Sequence, residues 1–65
     1  MYAKYAEIRD SKGLNDLKVA RKTGVPQSTI YDWRQRSEKN PAAGISAAYL
    51  VRIAQALDVG VEDLV

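Results

Sequence analysis

Apolar residues along this chain recur at helical spacing, and nowhere do they alternate with polar ones as a half-buried strand requires. Tyr5 and Ile8 stand three apart, with Lys4, Glu7, Arg9, Asp10 and Lys12 on the other side. That pattern predicts a short amphipathic helix over 2–12, stopped by Gly13. Asn15 is a good N-cap ahead of Asp16, whose charge suits the positive end of a helix dipole, so a second helix runs over 16–23 and ends at Gly24. After Pro26, Ile30 and Trp33 are again three apart while Gln27, Ser28, Asp32 and Gln35 point elsewhere, which predicts a third helix over 27–36. Residues 37–45 have no period and contain Pro41 and Gly44, so they read as a loop. Ser46 can cap a fourth helix in which Leu50, Ile53, Ala54 and Leu57 form one apolar stripe with Val51 beside it, ending at Asp58 and Gly60. Val61 and Leu64 then imply a final turn or short helix at 61–65, and no internal repeat or low-complexity tract is present.

The stretch Asp16 to Gln35 places its special residues where two helices joined by a tight turn need them. Helices crossing near a right angle approach closely, so one contact residue must be small, and Ala20 supplies it. Gly24 stands where the chain leaves the first of the two helices, a place that usually demands a left-handed backbone. Val19, Val25, Ile30 and Trp33 form the inner faces, with Trp33 as a core anchor, and the opposite face of the second helix is left exposed and polar.

Composition narrows the chemistry. A chain of 65 residues buries only roughly 60 % of its unfolded surface and has no room for a large catalytic cleft. Cysteine and histidine are both absent. Disulfides, zinc fingers, thiol nucleophiles and imidazole-based triads are thereby excluded, and no enzyme activity, metal, cofactor or small-molecule substrate is expected. No apolar run approaches the roughly 20 residues of a membrane span and no signal peptide is visible, so the expected compartment is the cytoplasm, without membrane contact. The net charge of +2 is unevenly placed: residues 1–40 carry nine Lys or Arg against five acids, whereas residues 41–65 carry one Arg against three. A basic front with an acidic rear suits a polyanionic partner, and a mixed surface with chance asymmetry explains the charges equally well.

The chain resembles the helix-turn-helix regulators of the phage repressor, Cro and xenobiotic-response-element type. The resemblance runs through Ile8-Arg9-Asp10-Ser11-Lys12-Gly13-Leu14, Val19-Ala20, Thr23-Gly24-Val25, Ser28-Thr29-Ile30 with Trp33, then Leu50, Ile53-Ala54, Ala56-Leu57-Asp58-Val59 and Val61-Glu62-Asp63-Leu64. It implies an all-α fold, a compact bundle of five short helices with the helix-turn-helix at 16–35, within a single DNA-binding domain over 1–65 whose third helix enters the major groove. Three departures stand out. Asn15-Asp16 replace the Ser-Gln with which the family begins its second helix, and an aspartate there repels the phosphate that the Gln contacts. Pro26 replaces the capping hydroxyl of the recognition helix. Arg34-Gln35-Arg36 and a connection about five residues longer replace the usual Glu-x-Gly.

The implied function is a sequence-specific transcriptional regulator, of phage or prophage repressor type, occupying a double-stranded DNA operator as a weak homodimer. The candidates for base contact are Gln27, Ser28, Thr29, Tyr31 and Asp32. Gln27 can bond adenine bidentately, Ser28 and Thr29 can add a hydrogen bond and a methyl contact to thymine, with Thr29 leaning toward the core. Asp32 can accept from a cytosine amino group or pair with Arg36 four residues on, and the phenol of Tyr31 is also long enough to reach a phosphate. Lys18, Arg34, Gln35, Arg36 and Lys39 are the candidates for phosphate contact. Arg9, Arg21 and Lys22 resemble Lys18, but Arg9 is equally suited to an internal ion pair with an acid such as Glu62. Val61, Leu64 and Val65 offer apolar surface for pairing, against which stands simple packing of Leu64 onto Leu57 and Ile8. The chain is either a complete Cro-sized protein or the DNA-binding part of a longer repressor. The rival functions are an antitoxin, a restriction-system controller, or a protein-interaction module that kept this fold without DNA affinity, an option that Asp16 and Asp32 support.

Overall fold

A computed structural model describes residues 1–65, which form α1 (Tyr2–Ser11), α2 (Asp16–Thr23), α3 (Gln27–Lys39), α4 (Ala47–Ala56) and a 3-10 turn at Val61–Asp63. The caps explain most boundaries. Behind α1, Gly13 adopts φ +71° and Leu14 N–H reaches back to the Arg9 carbonyl at 3.0 Å, which satisfies a carbonyl that the helix end leaves free. Asn15 Oδ1 accepts from Lys18 N–H at 2.9 Å and starts α2. Gly24, at φ +76°, stops it, donating to the Ala20 carbonyl. At α3 the ring of Pro26 presets φ at −58° and, as expected, no side chain caps the helix. Ser46 Oγ accepts from Tyr49 N–H at the start of α4. The left-handed residue after α4 is Asp58 at φ +57°, with Val59 N–H closing onto the Ala54 carbonyl, so Asp58 rather than Gly60 turns the chain.

Two expectations are corrected. There are four α-helices, not five. The last piece holds only i→i+3 bonds, Asp63 N–H to the Gly60 carbonyl and Leu64 N–H to the Val61 carbonyl, so it is a single 3-10 turn and not an α-helix. The expected loop at 37–45 is shortened by the third helix, which continues through Lys39. Asn40 precedes Pro41 and is extended (φ −140°, ψ 100°), so the proline's steric veto ends the helix there and not at Arg36.

The core gathers one face of every element. Tyr5, Val19, Val25, Ile30, Trp33, Ile53, Leu57 and Leu64 are fully enclosed. Ala20 is buried where α2 meets its neighbours, as the tight crossing requires. Tyr2, Tyr5 and Trp33 form an aromatic cluster with ring centroids 5.1 to 5.3 Å apart, Tyr2 standing edge-on to Trp33 at 90°. The Trp33 indole N–H donates to the Ala43 carbonyl at 2.9 Å inside the core, and Ala43 N–H donates to the Asn40 carbonyl. One tryptophan thus fastens α3 to α1 and pins the connection to α4. Leu64 packs inward and Val61 is half-buried, which leaves Val65 as the exposed apolar residue of the terminal segment. No helix is long and apolar enough to cross a membrane.

Candidate nucleic-acid interface

The positioning of the interface begins with Asp16, the first residue of α2. Its carboxylate turns toward α1 and accepts from Tyr5 Oη at 2.6 Å, Arg9 Nη1 at 2.7 Å and Tyr2 Oη at 2.8 Å. The side chains of Arg9 and Asp16 are only 16 % and 18 % exposed. Asp16 is therefore engaged inside the protein, and the expected repulsion of a phosphate gives way to a clasp between α1 and the N-terminus of α2. Arg9 does make the internal ion pair considered for it, but with Asp16 and the more exposed Asp10, not with Glu62. Tyr2, Tyr5 and Arg9 share one face of α1 at the helical spacing i, i+3, i+7. That spacing was a legible signal for a polar cluster that sequence reasoning missed.

The electrostatics follow from the geometry. Burial pushes the Asp16 carboxyl up, but the hydrogen bonds from Tyr5, Arg9 and Tyr2 and the charge of Arg9 outweigh it and hold the group below the ordinary carboxylate range. Burial acts to lower Arg9, and its hydrogen bonds to Asp16, Asp10 and Tyr2 overcome this and raise it. Burial raises Tyr5, reinforced by the Asp16 carboxylate that its hydroxyl faces, and raises Tyr2 for the same reasons against the opposing effect of Arg9. The cluster therefore stays as one carboxylate, one guanidinium and two neutral phenols through the physiological range.

On α3, Ile30 and Trp33 face inward and the other side is open. Ser28, Tyr31, Asp32, Gln35 and Lys39 recur at three- and four-residue spacing and form one outward stripe, all exposed. Tyr31 is 59 % exposed, unusual for an aromatic side chain with a packed core one turn away. Gln27, Arg34 and Arg36 are exposed along its flanks, whereas Thr29 is half-buried, in keeping with its lean toward the core. Asp32 and Arg36 are joined, Arg36 Nε donating to Asp32 Oδ2 at 2.8 Å. Lys18, Arg21 and Lys22 are exposed on α2, so Lys18 belongs to a different helix from the remaining candidates. No group of three metal-ligating side chains occurs.

Two helices joined through a left-handed glycine, the second anchored by its inner face and offering a polar outer face, define a helix-turn-helix. A helix-turn-helix family model matches residues 6–64, and the chain belongs to this family, the Cro-type helix-turn-helix or XRE family. The family consists of DNA-binding transcription regulators and is not enzymatic. No curated protein and no solved structure matches the chain significantly.

Proposed function

We propose that this regulator is a sequence-specific repressor of phage or prophage type, which occupies a double-stranded DNA operator by laying α3 in the major groove and acts by occupancy and not by chemistry. The observation that carries the reading is the outward stripe of polar side chains on a helix whose opposite face is locked by fully buried Ile30 and Trp33. A rigid helix presents donors and acceptors at fixed positions, which base reading requires. Gln27, Ser28, Tyr31 and Asp32 meet base edges, with Thr29 adding its methyl group. Lys18, Arg34, Gln35 and Lys39 hold phosphates, while Arg36 stands among them with its Nε committed to Asp32.

One recognition helix reads only a few base pairs, so a weak homodimer strengthened on DNA supplies the missing specificity, with half-site centres roughly 34 Å apart. Leu64 lies in the core, so pairing falls to surfaces that include exposed Val65 and Val51. A helix-turn-helix module without DNA affinity is less well supported. Of the two acids that favoured it, Asp16 is clasped against α1 and Asp32 is countered by Arg36.

The test is titration into random and selected duplexes at low and high salt. Steeply salt-dependent binding, a selected site with twofold symmetry and two chains per site are the expected results. Absence of binding at low salt refutes the DNA reading, and saturation at one chain on an asymmetric site refutes the dimer.

A further inference from the structure

The exposed stripe of α3 carries one ion pair, and the pair uses only part of each partner's hydrogen-bonding capacity. Arg36 folds back over one helical turn so that its Nε meets Asp32 Oδ2 at 2.8 Å. Asp32 Oδ1 accepts nothing within the protein and the two Nη groups of Arg36 donate nothing. Both side chains are open to solvent, at 65 % and 46 %. Arg34 and Lys39, the other cations of the helix, hold no acid. Arg36 is thus the α3 cation least suited to a freely moving phosphate contact, and Asp32 is the acid on the stripe whose charge is already countered.

A bare carboxylate facing a duplex is repelled by the phosphates on both sides, and a guanidinium held beside it removes that objection. What the pair then presents is one free acceptor next to two free donors. In the major groove a C·G pair offers the complement: the cytosine N4 amino group is a donor, and guanine O6 and N7 are adjacent acceptors that suit a two-armed guanidinium. A T·A pair fits less well, because it has a single acceptor on the purine and a methyl group on the pyrimidine.

Building on the operator-binding reading, we propose that Asp32 and Arg36 form one reading unit for a C·G base pair. Asp32 Oδ1 accepts from the cytosine amino group while the Arg36 Nη groups donate to guanine, and each side chain positions the other.

The experiment compares the wild type with Asp32→Ala, Arg36→Ala, the double alanine variant and Asp32→Asn. Each selects sites from a random duplex pool and is then titrated against the wild-type site with every base pair replaced in turn. The wild-type site is expected to contain a C·G pair whose replacement by T·A weakens binding about 10-fold or more. Both alanine variants lose discrimination at that same base pair and keep it elsewhere, and the double variant loses no more than the worse single one. Asp32→Asn, which offers adenine an acceptor and a donor, moves the preference there toward A·T. Because both side chains are exposed, all variants melt within a few degrees of the wild type, which verifies their fold.

Three results overturn the proposal while leaving operator binding intact. Asp32→Ala tightens binding to all sequences without altering a preference; Arg36→Ala weakens all sequences alike with a shallower salt slope; or the two variants relax different base pairs. A wild type that binds no duplex at all overturns the operator reading together with this unit, and is a different outcome from selective binding that these variants do not touch.

Discussion

Replacing Asp16 by alanine tests whether the N-terminus of α2 is held by α1 or faces DNA. The substitution removes an acceptor that holds Tyr5, Arg9 and Tyr2 at 2.6, 2.7 and 2.8 Å. A hydrogen bond to a charged partner contributes about 1.5–3 kcal/mol, but three donors sharing one carboxylate do not add. Arg9 also keeps Asp10 and some solvent contact, so the loss falls below that of breaking a fully buried ion pair. The expected cost is about 2–4 kcal/mol, out of roughly 3–10 kcal/mol available to a domain of this size. In a thermal melt followed by circular dichroism this is a fall of about 10–30 °C at neutral pH. Asp16→Asn, which keeps one carbonyl acceptor, loses less.

The pH dependence supplies an independent check. Asp16 is depressed in the folded protein, so its contribution is complete above the ordinary value of 3.8 and disappears as the pH falls through the lower folded value. The gap between wild type and Asp16→Ala is therefore expected to narrow as the pH falls below 3.8 and to close in stronger acid. A variant melting within a few degrees of the wild type at neutral pH, or a gap that persists undiminished in strong acid, refutes the clasp.

Trp33→Ala removes the centre of the aromatic cluster and the bond to Ala43, and is expected to cost about 3–5 kcal/mol, seen as loss of a cooperative melt or a collapse of the melting temperature. Tyr5 is raised by folding, so its contribution is complete below the ordinary value of 10.0 and is lost above it. Melts at increasing alkalinity should show stability falling from about pH 10, less steeply in Tyr5→Phe. Gln27→Ala should lower discrimination at one or two base positions by about 1–3 kcal/mol, whereas Lys39→Ala should weaken all sequences alike and make the salt slope shallower by about one, both read from titrations of specific and random duplexes.

Local chemistry was enough to place most of the frame. Asn15, Gly24 and Ser46 act within a few residues of themselves, through a cap or a left-handed turn, so their effect is visible in sequence order. Three-residue spacing likewise foretold the inward faces of Ile30 and Trp33, and with them the outward face of α3. The end of α3 was misjudged because Pro41 acts on Asn40 alone, while Ser37 to Lys39 lack any apolar period that would mark them as helix. At the terminal segment the helical spacing of Val61 and Leu64 allows a turn or a short helix, and the structure closes it as a 3-10 turn.

The sequence by itself determined the class of this protein, since small residue, glycine and apolar anchors at fixed offsets are the steric requirements of a helix-turn-helix. The tertiary structure decided the roles of its charges. Asp16 and Arg9 are seven residues apart on different helices; the i, i+3, i+7 spacing puts Tyr2, Tyr5 and Arg9 on one face of α1, but only the packing of α1 on α2 brings that face onto one carboxylate. A charge acts over distances set by the folded chain and by local exposure to water, not by sequence separation. The same acid that reads as an obstacle to DNA in the sequence is, in the fold, the group that holds the recognition motif in place.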